Sequence, residues 1–185
     1  MNRLSPVFTA EATCQDCYKC IRQCPVKAIR VVDGHAAVMP DLCIACGHCV
    51  RVCPVHAKRI RDDVARARHL IATGAPVYAS LAPSWVSEFP GVTPERMAAT
   101  LEALGFAGAS ETALGAQAVS AEAARRLREQ GPGITISSAC PAAVAFIARF
   151  LPKYRAALTP VASPALAHAR MIRQWFGAKA STVFI

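Results

Sequence analysis

Nine cysteines occur in this 185-residue chain, and eight of them fall in two runs of identical spacing. Cys14, Cys17, Cys20 and Cys24 recur as Cys43, Cys46, Cys49 and Cys53, a constant offset of 29 residues, and each run ends in Cys-Pro (Cys24-Pro25 and Cys53-Pro54). Three thiolates spaced two residues apart can wrap a loop around one face of an iron–sulfur cube. The fourth, leaving on a helix, points away toward a second cube. The spacing therefore predicts ligands exchanged between the two copies: Cys14, Cys17, Cys20 and Cys53 around cluster 1, and Cys43, Cys46, Cys49 and Cys24 around cluster 2. Pro25 and Pro54 supply no N–H donor and fix the turn beside the last thiol of each run. Zinc is the competing chemistry because it too takes four cysteines, but zinc ribbons use paired Cys-x2-Cys knuckles, not runs of three closed by a Cys-Pro.

Composition narrows the classes around this motif. An odd cysteine count without an export signal argues against a disulfide framework. With 54% hydrophobic and 18% charged residues the chain can bury a core, and its length suits two small domains. Lys and Arg number 21 against 12 Asp and Glu, a formal charge of +9; eight thiolates and two cubane cores would bring a loaded protein to roughly +5. The basic run Arg59 to Arg68 suits an acidic redox partner, and it lacks the stacking platform or groove-reading motif that nucleic-acid binding requires. No window approaches ~18 uninterrupted apolar residues, and Asn2, Arg3, Ser5, Pro6 and Thr9 break up the first ten, so neither a membrane span nor a secretory leader is expected and the location implied is cytoplasmic. Cysteine already supplies eight ligands, so His35, His48, His56, His69 and His168 are expected at the surface or behind the ligands, not on a metal.

The elements that must position these groups differ on the two sides of residue 75. In the first part, Ala28 to Val32 alternates like a strand, and Gly34 turns it back toward Ala36 to Met39. A helix over Asp62 to Thr73, stopped by Gly74, links to a second part rich in Ala, Gly and Pro. There Pro76 to Ala82 reads as a buried strand ended by Pro83. Thr93-Pro94-Glu95 caps a helix through Leu104, and Phe106 to Ala109 follows as a short strand. A helix from about Glu111 to Gln130 carries Glu122 and Arg126 four apart, with Gly115 weakening its start. Gly133 to Ser137 is expected as a strand, Pro141 to Phe150 as a helix, Ser163-Pro164 as the cap of another helix stopped by Gly177, and Ser181 to Ile185 as a final strand. Alternating strands and helices predict a largely parallel sheet with binding groups on loops at the strand C-termini. The fold class is thus an α+β two-cluster domain over 1–61, a linker helix over 62–74, and an α/β partial parallel-sheet domain over 75–185. An exposed edge of that sheet offers a route to oligomers. The ninth cysteine, Cys140, stands at a strand-to-helix turn, where it is either a small buried hydrophobe or a thiolate favoured by the helix N-terminus.

On these residues the first 60 or so positions resemble a bacterial two-cluster ferredoxin, which implies two low-potential [4Fe-4S] centres passing single electrons. From about Ala75 onward the chain resembles the catalytic domain of the iron-only ([FeFe]) hydrogenases and their hydrogenase-like relatives. That family carries a Thr-Ser-Cys-Cys-Pro motif, present here as Ser137-Ser138-Ala139-Cys140-Pro141. The resemblance implies Cys140 as a ligand of the active-site cubane and puts Ala139 where the family has its proton-relaying cysteine. It also implies that Ala82, Pro83 and Ser84 line a diiron pocket and that Ser163-Pro164 opens the following helix. The family's later Pro-Cys motif, its lysine and two further cubane ligands do not occur in this chain, so the resemblance implies a truncated domain on which the diiron cluster is not expected. The function implied is iron–sulfur electron transfer by the N-terminal portion of a hydrogenase-like protein. Ala139 places it nearer the sensory or regulatory branch. The alternative is a hydrogenase or hydrogen sensor completed by sequence outside this chain.

Overall fold

A computed structural model describes residues 6–185. The chain forms two compact units, one made of the segment up to Asp62 together with Pro141–Arg155, the other of Asp63–Cys140 with Ala156–Ile185.

The first unit is built on the 29-residue repeat. Its elements are β1 (Val7–Thr9), α1 (Lys19–Gln23), β2 (Ile29–Val32), β3 (His35–Val38), α2 (His48–Val52) and β4 (Lys58–Ile60). Two antiparallel ladders result, β1 with β4 and β2 with β3. Their registers are the same under the repeat: Thr9 faces Lys58 as Val38 faces Ile29, and Val7 faces Ile60 as Ala36 faces Val31. Asp33 and Gly34, both at positive φ (49° and 84°), form the two-residue turn that joins β2 to β3. The core between these pieces contains Cys20, Cys24, Val26, Ala28, Ile29, Ala36 and Ile44, so two of the thiols are themselves core residues.

The second unit opens with α3 (Val64–Ala72), which Gly74 ends at φ 75°. It continues through β5 (Val77–Leu81), α4 (Trp85–Glu88), α5 (Pro94–Ala103), β6 (Gly108–Glu111) and α6 (Ala113–Gln130). Thr93 caps α5, its hydroxyl oxygen accepting from the Arg96 N–H at 3.3 Å. After α6 the chain contributes α7 (Pro141–Phe150) to the first unit and returns as α8 (Pro164–Phe176) and β7 (Ser181–Phe184). The sheet is three-stranded and parallel, in the order β6-β5-β7. Its middle strand is the apolar run read as buried, with Val77, Ala79 and Leu81 packing against Trp85, Met97, Leu101 and Phe106. The overall class is mixed α and β, with small antiparallel sheets and one parallel sheet. Among the described residues no helix is long and apolar enough to cross a membrane.

The strand expected over Gly133 to Ser137 is not formed. Ile136 makes a single parallel bridge with Leu158, and Ile134 is 73% exposed. The reason is local: Gly131 at φ 69°, Pro132 and Gly133 precede a segment whose neighbour offers one bridge and no ladder. The second strand of the unit lies slightly later than read, because Phe106 is spent on the core and pairing begins at Gly108. Ser181 to Phe184 does enter the parallel sheet as expected.

Gly115, which weakens α6 by propensity, has a packing reason. A Cβ there would meet the Pro164 carbonyl oxygen at 2.3 Å and the His168 Cβ at 2.8 Å, so α6 and α8 approach as closely as they do because this residue has no side chain. Gly115→Ala is expected to destabilise the protein by about 1–3 kcal/mol through overpacking. Gly133→Ala, with nothing within 4 Å of its Cβ position, should be near neutral. Thermal melts of the two variants check this, and equal melting temperatures would contradict it.

Candidate metal centre

The cysteine loops carry the repeat down to the single hydrogen bond. The Ala28 N–H donates to Cys24 Sγ at 3.2 Å, and the Ala57 N–H donates to Cys53 Sγ at 3.2 Å. Cys14 N–H reaches the Ala10 carbonyl at 3.2 Å as Cys43 N–H reaches that of Met39 at 2.9 Å. Left-handed backbone recurs in the same register: Asp16, Tyr18 and Lys27 in the first copy, Ala45, Gly47 and His56 in the second. Five of these six residues carry a Cβ, for which that conformation costs of order ~1 kcal/mol each. The loops are therefore held in an expensive shape that recurs in both copies. All nine cysteines are free of disulfides. Cys20 and Cys24 are buried, Cys14, Cys43, Cys49 and Cys53 are half-buried, and Cys17 and its repeat mate Cys46 are exposed.

The electrostatics of the thiols involve both copies. Burial pushes the Cys20 thiol up, the Lys58 ammonium opposes that, and Cys53 of the other copy acts on it together with Cys14. Cys49 is likewise raised by burial and opposed by Lys58, with Cys43, Cys46 and Cys20 as its other charged neighbours. Burial would raise Cys53 as well, but the backbone N–H groups of Lys58, Val55 and Ala57 outweigh it and hold the thiol below its ordinary value. Asp16 stands behind Cys14, whose Sγ lies 3.4 Å from Oδ1; the same oxygen is 3.1 Å from His35 Nδ1. On the other side, α7 packs Ala145 and Phe146 against the core that includes Cys43, Ile44 and Cys49, and Arg149 Nη1 donates to the Cys43 carbonyl at 2.6 Å. Eight thiols in two sets, bent by paired loops and partly withdrawn from water, are a donor set that fits iron–sulfur clusters.

Cys140 is exposed, which removes the reading of it as a buried hydrophobe. Its loop is tied at Ser138, whose hydroxyl donates to the Val161 carbonyl at 2.8 Å and whose N–H donates to Thr159 Oγ1 at 3.0 Å. Ala139 follows with its N–H 3.3 Å from Ser137 Oγ, and Pro141 begins α7. Ala82, Pro83 and Ser84 form the turn from β5 into α4, with the Ala82 N–H on the Ile185 carbonyl at 2.6 Å and the Trp85 N–H on the Ala82 carbonyl at 3.0 Å.

Comparison with known families decides the relationship. The family of the iron only hydrogenase large subunit, C-terminal domain, matches residues 75–185, and a 4Fe-4S dicluster domain matches residues 6–54. The chain belongs to the iron-only hydrogenase large-subunit family. No curated protein gave a significant match. This hydrogenase-family chain is accordingly an iron–sulfur protein whose cysteine-rich portion precedes a hydrogenase large-subunit portion.

Two groups in it escape sequence reading. Lys58 is buried at 2% exposure, its Nζ on the carbonyl of Ala36, which shares a core with Cys20 and Cys24; the signal available was the repeat itself, which aligns this lysine with Ile29. His168, expected at the surface, is fully buried. Its Nδ1 lies 2.8 Å from Ser80 Oγ and its Nε2 2.9 Å from Ser110 Oγ, while Ser80 Oγ also contacts Thr112 Oγ1 at 2.7 Å. One histidine on α8 thus links β5 and β6 of the hydrogenase-type sheet. The helical spacing of the apolar positions flanking it was the only hint, since imidazole sits where α8 turns its inner face.

Burial lowers the His168 pKa below its ordinary value. The folded imidazole stays neutral while the unfolded one takes up a proton below about pH 6.5. Stability is therefore expected to be complete above that pH and to fall as pH drops through it, by at most about 1.4 kcal/mol per pH unit for one proton. Paired melts at pH 7.5 and 5.5 should show a smaller acid loss for His168→Gln than for the parent, and identical losses would remove His168 as the cause.

Proposed function

We propose that the first unit is a two-cluster ferredoxin-like electron carrier. Cys14, Cys17, Cys20 and Cys53 hold one [4Fe-4S] cluster, and Cys43, Cys46, Cys49 and Cys24 hold the other. The observation that carries this is the ladder register, identical under the 29-residue repeat, in which β4 after the second run pairs with β1 before the first, together with the equivalent N–H bonds accepted by Cys24 and Cys53. Bound clusters supply one-electron stores of low potential. The protein's part is to bend the loops, to donate N–H groups to Cys24 and Cys53, and to shield Cys20 and Cys24 from water. Exposed Cys17 and Cys46 leave each set one edge where an outside carrier can approach. The basic run Arg59 to Arg68 favours an acidic carrier, by speeding encounter. Cytoplasmic placement agrees with this chemistry, since reduced thiols persist there.

The hydrogenase-type portion is the proposed terminus for these electrons. Cys140, exposed at the head of α7, is the candidate ligand of an active-site cubane, and Ala82, Pro83 and Ser84 are the candidate lining of a diiron pocket. Ala139 next to Cys140 has no group that can hold a proton. That single residue favours a sensory or regulatory role over rapid turnover. A hydrogenase or hydrogen sensor completed by further sequence is the alternative. Hydrogen turnover by this chain after maturation with the diiron cofactor would select it.

Anaerobic reconstitution is expected to load about eight irons and eight sulfides, with paramagnetic signals appearing on reduction. Cys53→Ser should perturb the same centre as Cys14→Ser, and Cys24→Ser the same centre as Cys43→Ser, while Cys140→Ala leaves the iron count unchanged. Stoichiometric zinc without labile sulfide would refute the assignment of clusters, and uncrossed pairs would refute the exchange of ligands.

A further inference from the structure

The repeat is broken at one buried position. Ile29 begins β2 at 5% exposure, and its mate 29 residues later is Lys58, beginning β4 at 2% exposure. The ladder partner changes with it, from Val38 opposite Ile29 to Thr9 opposite Lys58. An aliphatic pair on one ladder is thus a lysine and a hydroxyl on the other. Lys58 Nζ donates to the Ala36 carbonyl at 2.6 Å and to Thr9 Oγ1, and the Thr9 hydroxyl also contacts the Ala36 carbonyl. Both acceptors are neutral. A buried ammonium is costly unless negative charge compensates it, and neutral oxygens alone do not.

The negative charge available is sulfur. Lys58 Nζ is held on the Ala36 carbonyl, and Ala36 is packed in the core that contains Cys20 of one proposed set and Cys24 of the other; the electrostatic influence of Lys58 on Cys20, Cys49 and Cys53 agrees with that placement. We propose that the Lys58 ammonium is a counter-cation shared by the two cluster sites, fixed there by Thr9 and Ala36, and that it raises their reduction potentials. This rests on the two-cluster reading above. An electron added to a cluster makes its site more negative, so a fixed cation within reach stabilises the reduced state; net charge and hydrogen bonding at the sulfurs are the protein's levers on cluster potential. Lys58 is a positioning and tuning residue, not a ligand.

The test is a redox titration of the reconstituted full chain followed by electron paramagnetic resonance, with iron and sulfide counted in each sample. For Lys58→Met, which keeps length and removes charge, the reduced-to-oxidised ratio of the clusters at fixed ambient potential should fall about tenfold, the decade that corresponds to ~59 mV for one electron. Lys58→Arg should remain near the parent. Unchanged potentials in a fully loaded Lys58→Met would overturn the proposal. If Lys58→Met and Lys58→Gln fail to load while Lys58→Arg loads, the cation is required and the proposal stands. If all three fail, the side chain serves packing and the proposal falls. A parent chain that binds no cluster would instead defeat the two-cluster reading, a separate outcome visible in the same iron count.

Discussion

Strand exchange between the two repeats is the constraint on which the first unit depends. The segment preceding the first cysteine run pairs with the segment following the second, and the segment preceding the second pairs with the one following the first. Neither copy can close its own loop. Three-residue and four-residue strands are too short to be stable alone, so the loops acquire their shape only when both copies are folded together. That requirement also ties the second Cys-Pro turn to the start of the chain, since β4, which follows Cys53, pairs with β1, which precedes the first run. The left-handed residues at Asp16, Tyr18 and Lys27, and at Ala45 and His56, are the conformational cost of these loops. A core that includes Cys20 and Cys24 offsets part of that cost.

The second unit solves a different problem with a parallel sheet. β5 lies between β6 and β7 and is buried on both faces, so its sequence is a nearly continuous apolar run. The polar side chain it does bury, Ser80, is satisfied by two partners, His168 and Thr112. Gly115 lets α8 come near enough to α6 for that histidine to reach. The helix crossing and the polar link are therefore one feature, since a side chain at 115 would displace the helix that carries His168.

How much of this was legible depends on whether a signal is periodic or positional. The cysteine runs, the Gly34 turn, the proline-opened helices at Thr93 and Ser163 and the buried strand β5 are local patterns readable without a distant partner, and the structure contains that turn and those helices and strand. Gly133 to Ser137 has the composition of a strand, but strandedness needs a partner ladder, and residues 157–159 provide a single bridge. No property of the segment itself encodes that. His168 and Lys58 illegibly carry polar types in buried places, because hydrophobic patterning treats imidazole and ammonium as surface groups unless their partners are known. Both partners lie far along the chain: Ser80 is 88 residues from His168, and Ala36 is 22 from Lys58.

The broken repeat bears on what duplication leaves behind. A perfectly duplicated unit would present two equivalent centres, with no reason for an electron to prefer either. Three asymmetries depart from that: Lys58 in place of an isoleucine, Asp16 with His35 behind Cys14 where the second copy has Ala45, and Arg149 of α7 on the Cys43 carbonyl. Two of them add cationic groups near opposite ends of the repeat, and one adds a carboxylate beside the first thiol. Potentials respond to such charges through a medium of low dielectric, where a fixed group counts for more than in water. The strand exchange that makes the two loops alike in shape thus leaves their charge environments free to differ, and under the proposed two-cluster reading side chains that touch no metal would set the direction of electron flow.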